Sequence, residues 1–370
     1  MLSRKFSILI LFLYLAACDT PKPNVDSNPL VRVQSGSVDK IYSLLNDLGN
    51  QLPSDDAGIA VGFVEGKNTA IAFVGNQSFT EETLFEYGSI TKVLTANILM
   101  QLVNEGSLHL DDSLNKFLPE DIQDQRWEPI TLFRLATHTA GIPNSPPSLS
   151  SVQLAERGID PFADYDQATL YQDIQETKII SIDKWKQSNY SYALLGLALS
   201  QRTNVDYANL VQQRIFGPLG MEGATVDGWS SDNIAPPLNS SGGSSNYWNF
   251  KAFASTGALR GNILDGISFL KASMSACQSS DIVARSNCQT QQPTNIQIRS
   301  QDTQMGLGWY LTLKDNDIVI WKNGLTGGYS AFIAFNPEKQ VGVVLLSNVA
   351  LFQHFYYYAD NSIVRFLLSD

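Results

Sequence analysis

The sequence predicts an α/β (α+β) fold: an antiparallel sheet formed by both chain ends and flanked by helices, with an inserted, mostly helical region. Two β runs near the start, "GIAVGFVEG" and "TAIAFVG", are split by Gly66-Lys67-Asn68, a hairpin pattern. Four more gather near the end: "GLGWYLTL", "DIVIWKN", "YSAFIAFN" and "VGVVLLSN". Between them, from about 108 to 256, apolar residues recur at helical spacing and irregular loops interrupt.

The first residues, "MLSRKFSILILFLYLAACDT", read as a targeting segment. Arg4 and Lys5 precede an apolar run from Ile8 to Leu15 that is too short to span a bilayer. Residues 1–18 end in Leu15-Ala16-Ala17-Cys18, which resembles a bacterial lipoprotein signal, with Cys18 the lipidated residue. An ordinary secretory signal with an incidental cysteine is the other reading. Asp19 resembles the inner-membrane retention cue of enteric bacteria, so the expected place is the periplasmic side of the envelope, lipid-anchored. Residues 19–37 have the composition of a flexible tether, with ends about 20–25 Å apart. Residues 38–370 then form the folded body.

That body begins with "VDKIYSLLNDLGNQL", a helix with Ile41, Leu44, Leu45 and Leu48 on one stripe. After the hairpin comes "YGSITKVLTANILMQLVNEGSL", a strongly apolar helix that stops at Gly106. "ITLFRLATHT" and "YSYALLGLALSQRT" are further helices, while "PNSPPSLSS" and "NSSGGSSN" are loops. A last helix, "FQHFYYYADNSIVRFLL", follows the late strands.

Composition narrows the function. At 370 residues, 44% hydrophobic and 16% charged, the chain can bury a large core. A net charge of −11 offers no basic stripe and argues against nucleic acid. His109, His138 and His354 are the only histidines and sit in no metal-ligand cluster, so neither metal nor cofactor is expected. With Cys18 lipidated, Cys277 and Cys288 remain in an oxidising setting, where they could pair or stay as two buried thiols. The chain is read as a monomer.

The chemistry concentrates in one helix. Five Ser-x-x-Lys pairs occur: Ser37/Lys40, Ser89/Lys92, Ser113/Lys116, Ser181/Lys184 and Ser268/Lys271. Only Ser89/Lys92 heads an apolar helix, where burial lowers an amine's pKa until it can accept a proton. A hydroxyl one turn away then has an acceptor, and the helix N-terminus offers N–H groups to developing negative charge. Gly88 leaves room for a substrate. A capping serine beside a snorkelling lysine would give the same letters.

Here the sequence resembles the penicillin-recognising serine hydrolases, closest to class C β-lactamases and related DD-peptidases and esterases. "YGSITKVLTANILMQLVNEGSLHLDD" is similar to the family's first motif and its exit. "ITLFRLATHTAGIP", "RIFGPLGM" and "GLGW" resemble smaller landmarks, and "WKNGLTGGYSAFIAFNPEKQVGVVLLSN" resembles the late Lys-[Ser/Thr]-Gly strand. The resemblance implies Ser89 as nucleophile, Lys92 as the residue that deprotonates it, and Lys322 as a second cation that also orients substrate. It further implies an oxyanion hole from the backbone N–H groups of Ser89 and Leu325. Lys322 alone would read as an edge-strand charge.

Three departures stand out. The family's second motif is Tyr-x-Asn, but "QSNYSYALLG" puts Gln187 in the tyrosine's place while keeping Asn189. An amide cannot relay a proton as a phenolate can, so Lys92 and Lys322 act alone, or Tyr190 reaches in, or turnover is poor. Asn323 replaces the Ser or Thr before Gly324. Leu351 stands where class C enzymes often carry an asparagine for a substrate carboxylate. Ser231-Asp232-Asn233 matches another class's motif by letters but lies in a loop, and no Gly-x-Ser-x-Gly elbow supports His138 as a triad base; it is expected to bond backbone.

The expected activity is acyl transfer through a Ser89 acyl-enzyme, on peptidoglycan peptides (DD-carboxypeptidase or endopeptidase) or on β-lactams. A short-chain esterase, or a weakly catalytic penicillin- or peptide-binding sensor, remains open through Gln187 and Leu351.

Overall fold

The computed structural model describes residues 31–76, 78–149, 160–298, 302–314, 317–350 and 363–368. Cys18, Asp19, Leu351 and His354, and most of the expected last helix, lie outside the described residues.

Eight strands form one antiparallel sheet. In chain order they are β1 (Val31–Ser35), β2 (Gly58–Glu65), β3 (Asn68–Gly75), then β6 (Thr303–Met305), β7 (Tyr310–Lys314), β8 (Asp317–Leu325), β9 (Ser330–Asn336) and β10 (Val341–Ser347). A separate two-stranded ribbon pairs β4 (Phe85–Glu86) with β5 (Arg260–Gly261). The spatial order of the large sheet is β1-β3-β2-β10-β9-β8-β7-β6. Both chain ends therefore meet where β2 pairs with β10, from Ile59↔Ser347 to Glu65↔Val341.

The central strands read as continuous apolar runs because both of their faces are covered. Along β10, Val344 and Leu346 join one buried cluster while Val343 and Leu345 join another. The first cluster lies between the sheet and the inserted helices. The second is covered by α1 (Tyr42–Gly49), whose Leu45 and Leu48 are buried, and by the segment Val364–Leu368. The hairpin predicted at Gly66 is present, with Glu65 opposite Asn68 and Gly66 at φ +57°.

Two expectations change here. The expected tether covers residues 19–37, yet Val31–Ser35 pairs with β3 as an edge strand, Val31 opposite Val74. Its Val-Arg-Val-Gln-Ser alternation buries Val31, which outweighs the polar composition around it. The short strand β6 was not anticipated either; it adds Met305 to the cluster beneath β7 and β8.

In the inserted region, α2 (Thr91–Asn104) is buried on nearly every side. The chain also forms α3 (Leu132–Ala136), α4 (Gln167–Glu176), α5 (Asn189–Thr203) and α6 (Tyr207–Val211), followed by α7 (Ile263–Met274) and α8 (Ile282–Thr290), and α5, α6 and α8 pack against α2. Cys277 and Cys288 form a disulfide, with Cα atoms 4.9 Å apart, between α7 and the end of α8. Among the described residues no helix is long and apolar enough to cross a membrane.

Candidate active site

Gly88–Ile90 forms a single 3-10 turn that leads into α2, so Ser89 stands at the entrance of a buried helix. Thr91 Oγ1 donates to Gly88 O at 2.7 Å and accepts the Leu259 N–H at 2.9 Å, which pins this turn to the chain beside β5. Ser89 is partly exposed while Lys92, one turn on, is 1% exposed. Lys92 Nζ lies 2.8 Å from Ser89 Oγ, and it donates to Thr256 O at 2.8 Å. The Tyr192 ring closes the pocket 5.6 Å from that nitrogen.

Burial first, and then the Lys322 cation, hold the Lys92 amine well below the ordinary lysine range. Lys322 is itself 2% exposed, on β8 opposite Ile333, with its Nζ 4.1 Å from the centre of the Tyr310 ring. A neutral amine keeps an N–H for Thr256 O and a lone pair for the Ser89 hydroxyl. Replacing Lys322 with Gln is expected to raise the Lys92 pKa, because the repulsion that disfavours a second positive charge disappears. A ¹³Cε titration of Lys92 reads that upward shift, and an unmoved midpoint would show that burial alone sets the value.

The end of β8 is pressed against the Ser89 turn. A Cβ on Gly324 would stand 1.8 Å from Tyr87 O and 2.9 Å from Ser89 N. A Cβ on Gly88, at φ +53°, would stand 2.6 Å from Leu325 N. Only glycine at both places lets the backbones of Ser89 and Leu325 meet. The two expected oxyanion donors are thus neighbours across one narrow gap.

A serine, a buried lysine one turn later and a second buried lysine on an adjoining strand end fit one family, and residues 54–359 match its model, Beta-lactamase. The chain belongs to the Beta-lactamase family. It is a serine hydrolase. Its relatives include the D-alanyl-D-alanine-carboxypeptidase/endopeptidase AmpH of Escherichia coli K12, 27% identical over 281 residues, covering 72% of this chain and 71% of that one. A "Beta-lactamase" of the same organism is 25% identical over 316 residues, 74% of this chain and 77% of the other. The fold matches that of a beta-lactamase/D-alanine carboxypeptidase from Yersinia pestis at a TM-score of 0.73 and 22% identity, over 90% of this chain and 100% of that one. A class C beta lactamase from Rhodobacter sphaeroides gives 0.72 at 19% identity, over 89% and 98%.

The second motif of this Beta-lactamase family member is only partly assembled. Asn189 opens α5, and Ser188 caps it by accepting the Ser191 N–H at 2.9 Å. The Asn189 carbonyl accepts from Thr256 Oγ1 at 3.0 Å, which links it to the residue that holds Lys92. Asn189 Oδ1 is buried with no partner among the described residues. Gln187 lies just before the helix, half-buried. Tyr190 does not reach in. It is fully buried, stacked near Phe253, with its hydroxyl on the Thr177 side chain 3.2 Å away, and burial pushes its pKa up. One residue along a helix turns the side chain about 100°, here into the core. Asn323, 7% exposed, sits opposite Phe332.

The other four Ser-x-x-Lys pairs take no part. Lys40 pairs with Glu65, Lys116 with Asp112, and Ser181, Lys184 and Lys271 are exposed. Ser231, Asp232 and Asn233 are exposed in their loop. His138 bonds backbone as expected: its Nδ1 accepts the Ser188 N–H at 3.2 Å and its carbonyl the Lys186 N–H at 2.9 Å. Burial, and then the Lys322 cation, hold the His138 pKa well below the ordinary histidine range. Sequence reasoning missed Thr256, Tyr192 and Tyr310. Tyr192 appears in the sequence only as one letter of "QSNYSYALLG", and Thr256 contributes a carbonyl, which leaves no trace in residue type.

Proposed function

We propose that Ser89 is an acyl-accepting nucleophile and that the enzyme cleaves peptidoglycan stem peptides as a DD-carboxypeptidase or endopeptidase. The 2.8 Å approach of the buried Lys92 amine, its pKa held well below the ordinary lysine range, to Ser89 Oγ carries this reading. Lys92 takes the hydroxyl proton as Oγ attacks the carbonyl carbon. The N–H groups of Ser89 and Leu325 bind the resulting oxyanion. Collapse expels the amine of the leaving residue, which takes a proton from the Lys92 ammonium. Water then repeats the sequence on the ester and frees Ser89. Asn189 and Lys322 hold the substrate between α5 and β8. The name and substrate of the Escherichia coli relative favour peptides, and a lipid anchor at Cys18 would keep the site in the envelope where such peptides occur.

Mass spectrometry after incubation with a fluorescent penicillin tests the reading, together with release of D-alanine from a stem pentapeptide. An adduct on Ser89 with D-alanine release supports it. Rapid adduct loss without D-alanine release points to a β-lactamase, and cleavage of a short nitrophenyl ester alone to an esterase. No adduct and no cleavage leave a binding protein. Gln187→Tyr restores the phenol that the family places here, and kcat is expected to rise about tenfold or more. An unchanged kcat would show that Lys92 and Lys322 already move the protons.

A further inference from the structure

The Ser89 turn is preceded by a buried acid that the reaction above does not use. Glu86 is 1% exposed on β4, opposite Arg260 on β5. Its Oε1 accepts the Trp248 N–H at 2.9 Å and lies 3.5 Å from the Arg260 guanidinium. Arg260 is diverted elsewhere: it donates to Gly228 O and Trp248 O and lies over the Trp229 ring. Glu86 Oε2 has no partner among the described residues, nor has Thr326 Oγ1. The Thr326 hydroxyl nevertheless lies near enough to the carboxyl to favour its ionised form, without completing a hydrogen bond.

Thr326 directly follows Leu325, and Glu86 lies three residues before Ser89. Glu86 and Thr326 thus stand within three residues of the two positions whose N–H groups would bind the oxyanion. The Trp248 indole completes the link, since a Cβ on Gly327 would stand 2.4 Å from its Nε1. We propose that Glu86 is a positioning residue, its ionised carboxyl drawing in the Thr326 hydroxyl and so setting the gap between the Ser89 and Leu325 N–H groups. This rests on the acyl-transfer reading of Ser89.

The titratable groups around the carboxyl are Arg260 on β5 and Tyr329 at the turn into β9, with Asp160 beyond Arg260. Burial pushes the Glu86 pKa up to about 7, against the pull of Arg260. The group thus changes charge in the working range. When ionised, it accepts the Thr326 O–H. When protonated, its own O–H competes for the same oxygen and the guanidinium loses its counter-charge.

Glu86→Gln imitates the protonated form. Ser89 acylation by a nitrophenyl ester is expected to be about tenfold slower than wild type at pH 8 and within twofold of it at pH 6. The backbone ¹⁵N shifts of Ser89 and Leu325 should titrate near pH 7 in the wild type and stay flat in E86Q. Thr326→Val should lower kcat about tenfold with KM within twofold, and Thr326→Ser should restore it. Equal E86Q deficits at both pH values, untitrating wild-type amides, or a normal kcat in T326V would overturn the proposal. If the wild type never acylates, the functional reading fails, and the amide titration still decides the Glu86 link.

Discussion

Lys92→Met is expected to slow Ser89 acylation by about 10³-fold or more at pH 7.5, the scale of a lost general base acting on a weak nucleophile. Methionine nearly keeps the length and apolar body of the lysine, so the wall formed by Tyr192 stays packed. What disappears is the lone pair 2.8 Å from Ser89 Oγ. The pH dependence carries the sign of the argument. A protonated Lys92 cannot accept, so wild-type acylation falls as pH drops through the depressed folded pKa. Stability runs the same way: the unfolded lysine, with a pKa of about 10.4, binds a proton that the folded one refuses. Folding therefore gains stability as pH rises from the folded value towards about 10.4, and is penalised below that window. Lys92→Met removes the penalty, so the inactive variant should melt no lower than the wild type at neutral pH. Stopped-flow labelling of Ser89 and a thermal melt check both halves. Wild-type labelling rates in the variant would remove Lys92 from the chemistry.

Much of this architecture was legible because it is written in local periodicity. The β2–β3 hairpin and the late strands carry unbroken apolar runs, since both of their faces are covered. Ser89 and Lys92 could be singled out because only they head a strongly apolar helix, while the rivals fall beside the tether, in polar stretches or partway along an amphipathic helix, a contrast visible in the letters. The misses have a common physical cause, namely long-range contact. Val31–Ser35 is a strand because β3 offers an edge, and the alternation within "VRVQS" is too short to mark it off from the tether before it. Tyr190 stands next to the right residue in sequence but a third of a helical turn away in space. Glu86, within "LFEYGS", looks like a solvated charge; its burial depends on Arg260 and Trp248, both more than 150 positions away.

Gly324→Ala is expected to cost Ser89 acylation about 10²-fold, for a reason separable from backbone strain. Gly324 lies within β8, outside the positive-φ region, so alanine meets no dihedral penalty there. Its Cβ would nevertheless stand 1.8 Å from Tyr87 O and 2.9 Å from Ser89 N, well inside contact distance, with backbone as the obstacle. Backbone cannot rotate aside as a side chain can, so strand and turn must separate by about 1 Å or more. That moves Leu325 N–H away from Ser89 N–H, and a 1 Å misplacement at a reacting centre is worth about 10²-fold. Gly66→Ala provides the contrast. Gly66 has φ +57° but open space around its Cβ, so alanine there should cost about 1 kcal/mol of stability and leave acylation intact. Labelling rates and thermal melts on both variants distinguish strain from displacement. If G324A labels Ser89 at the wild-type rate, the Leu325 N–H has no part in binding the oxyanion, and the second donor must come from elsewhere.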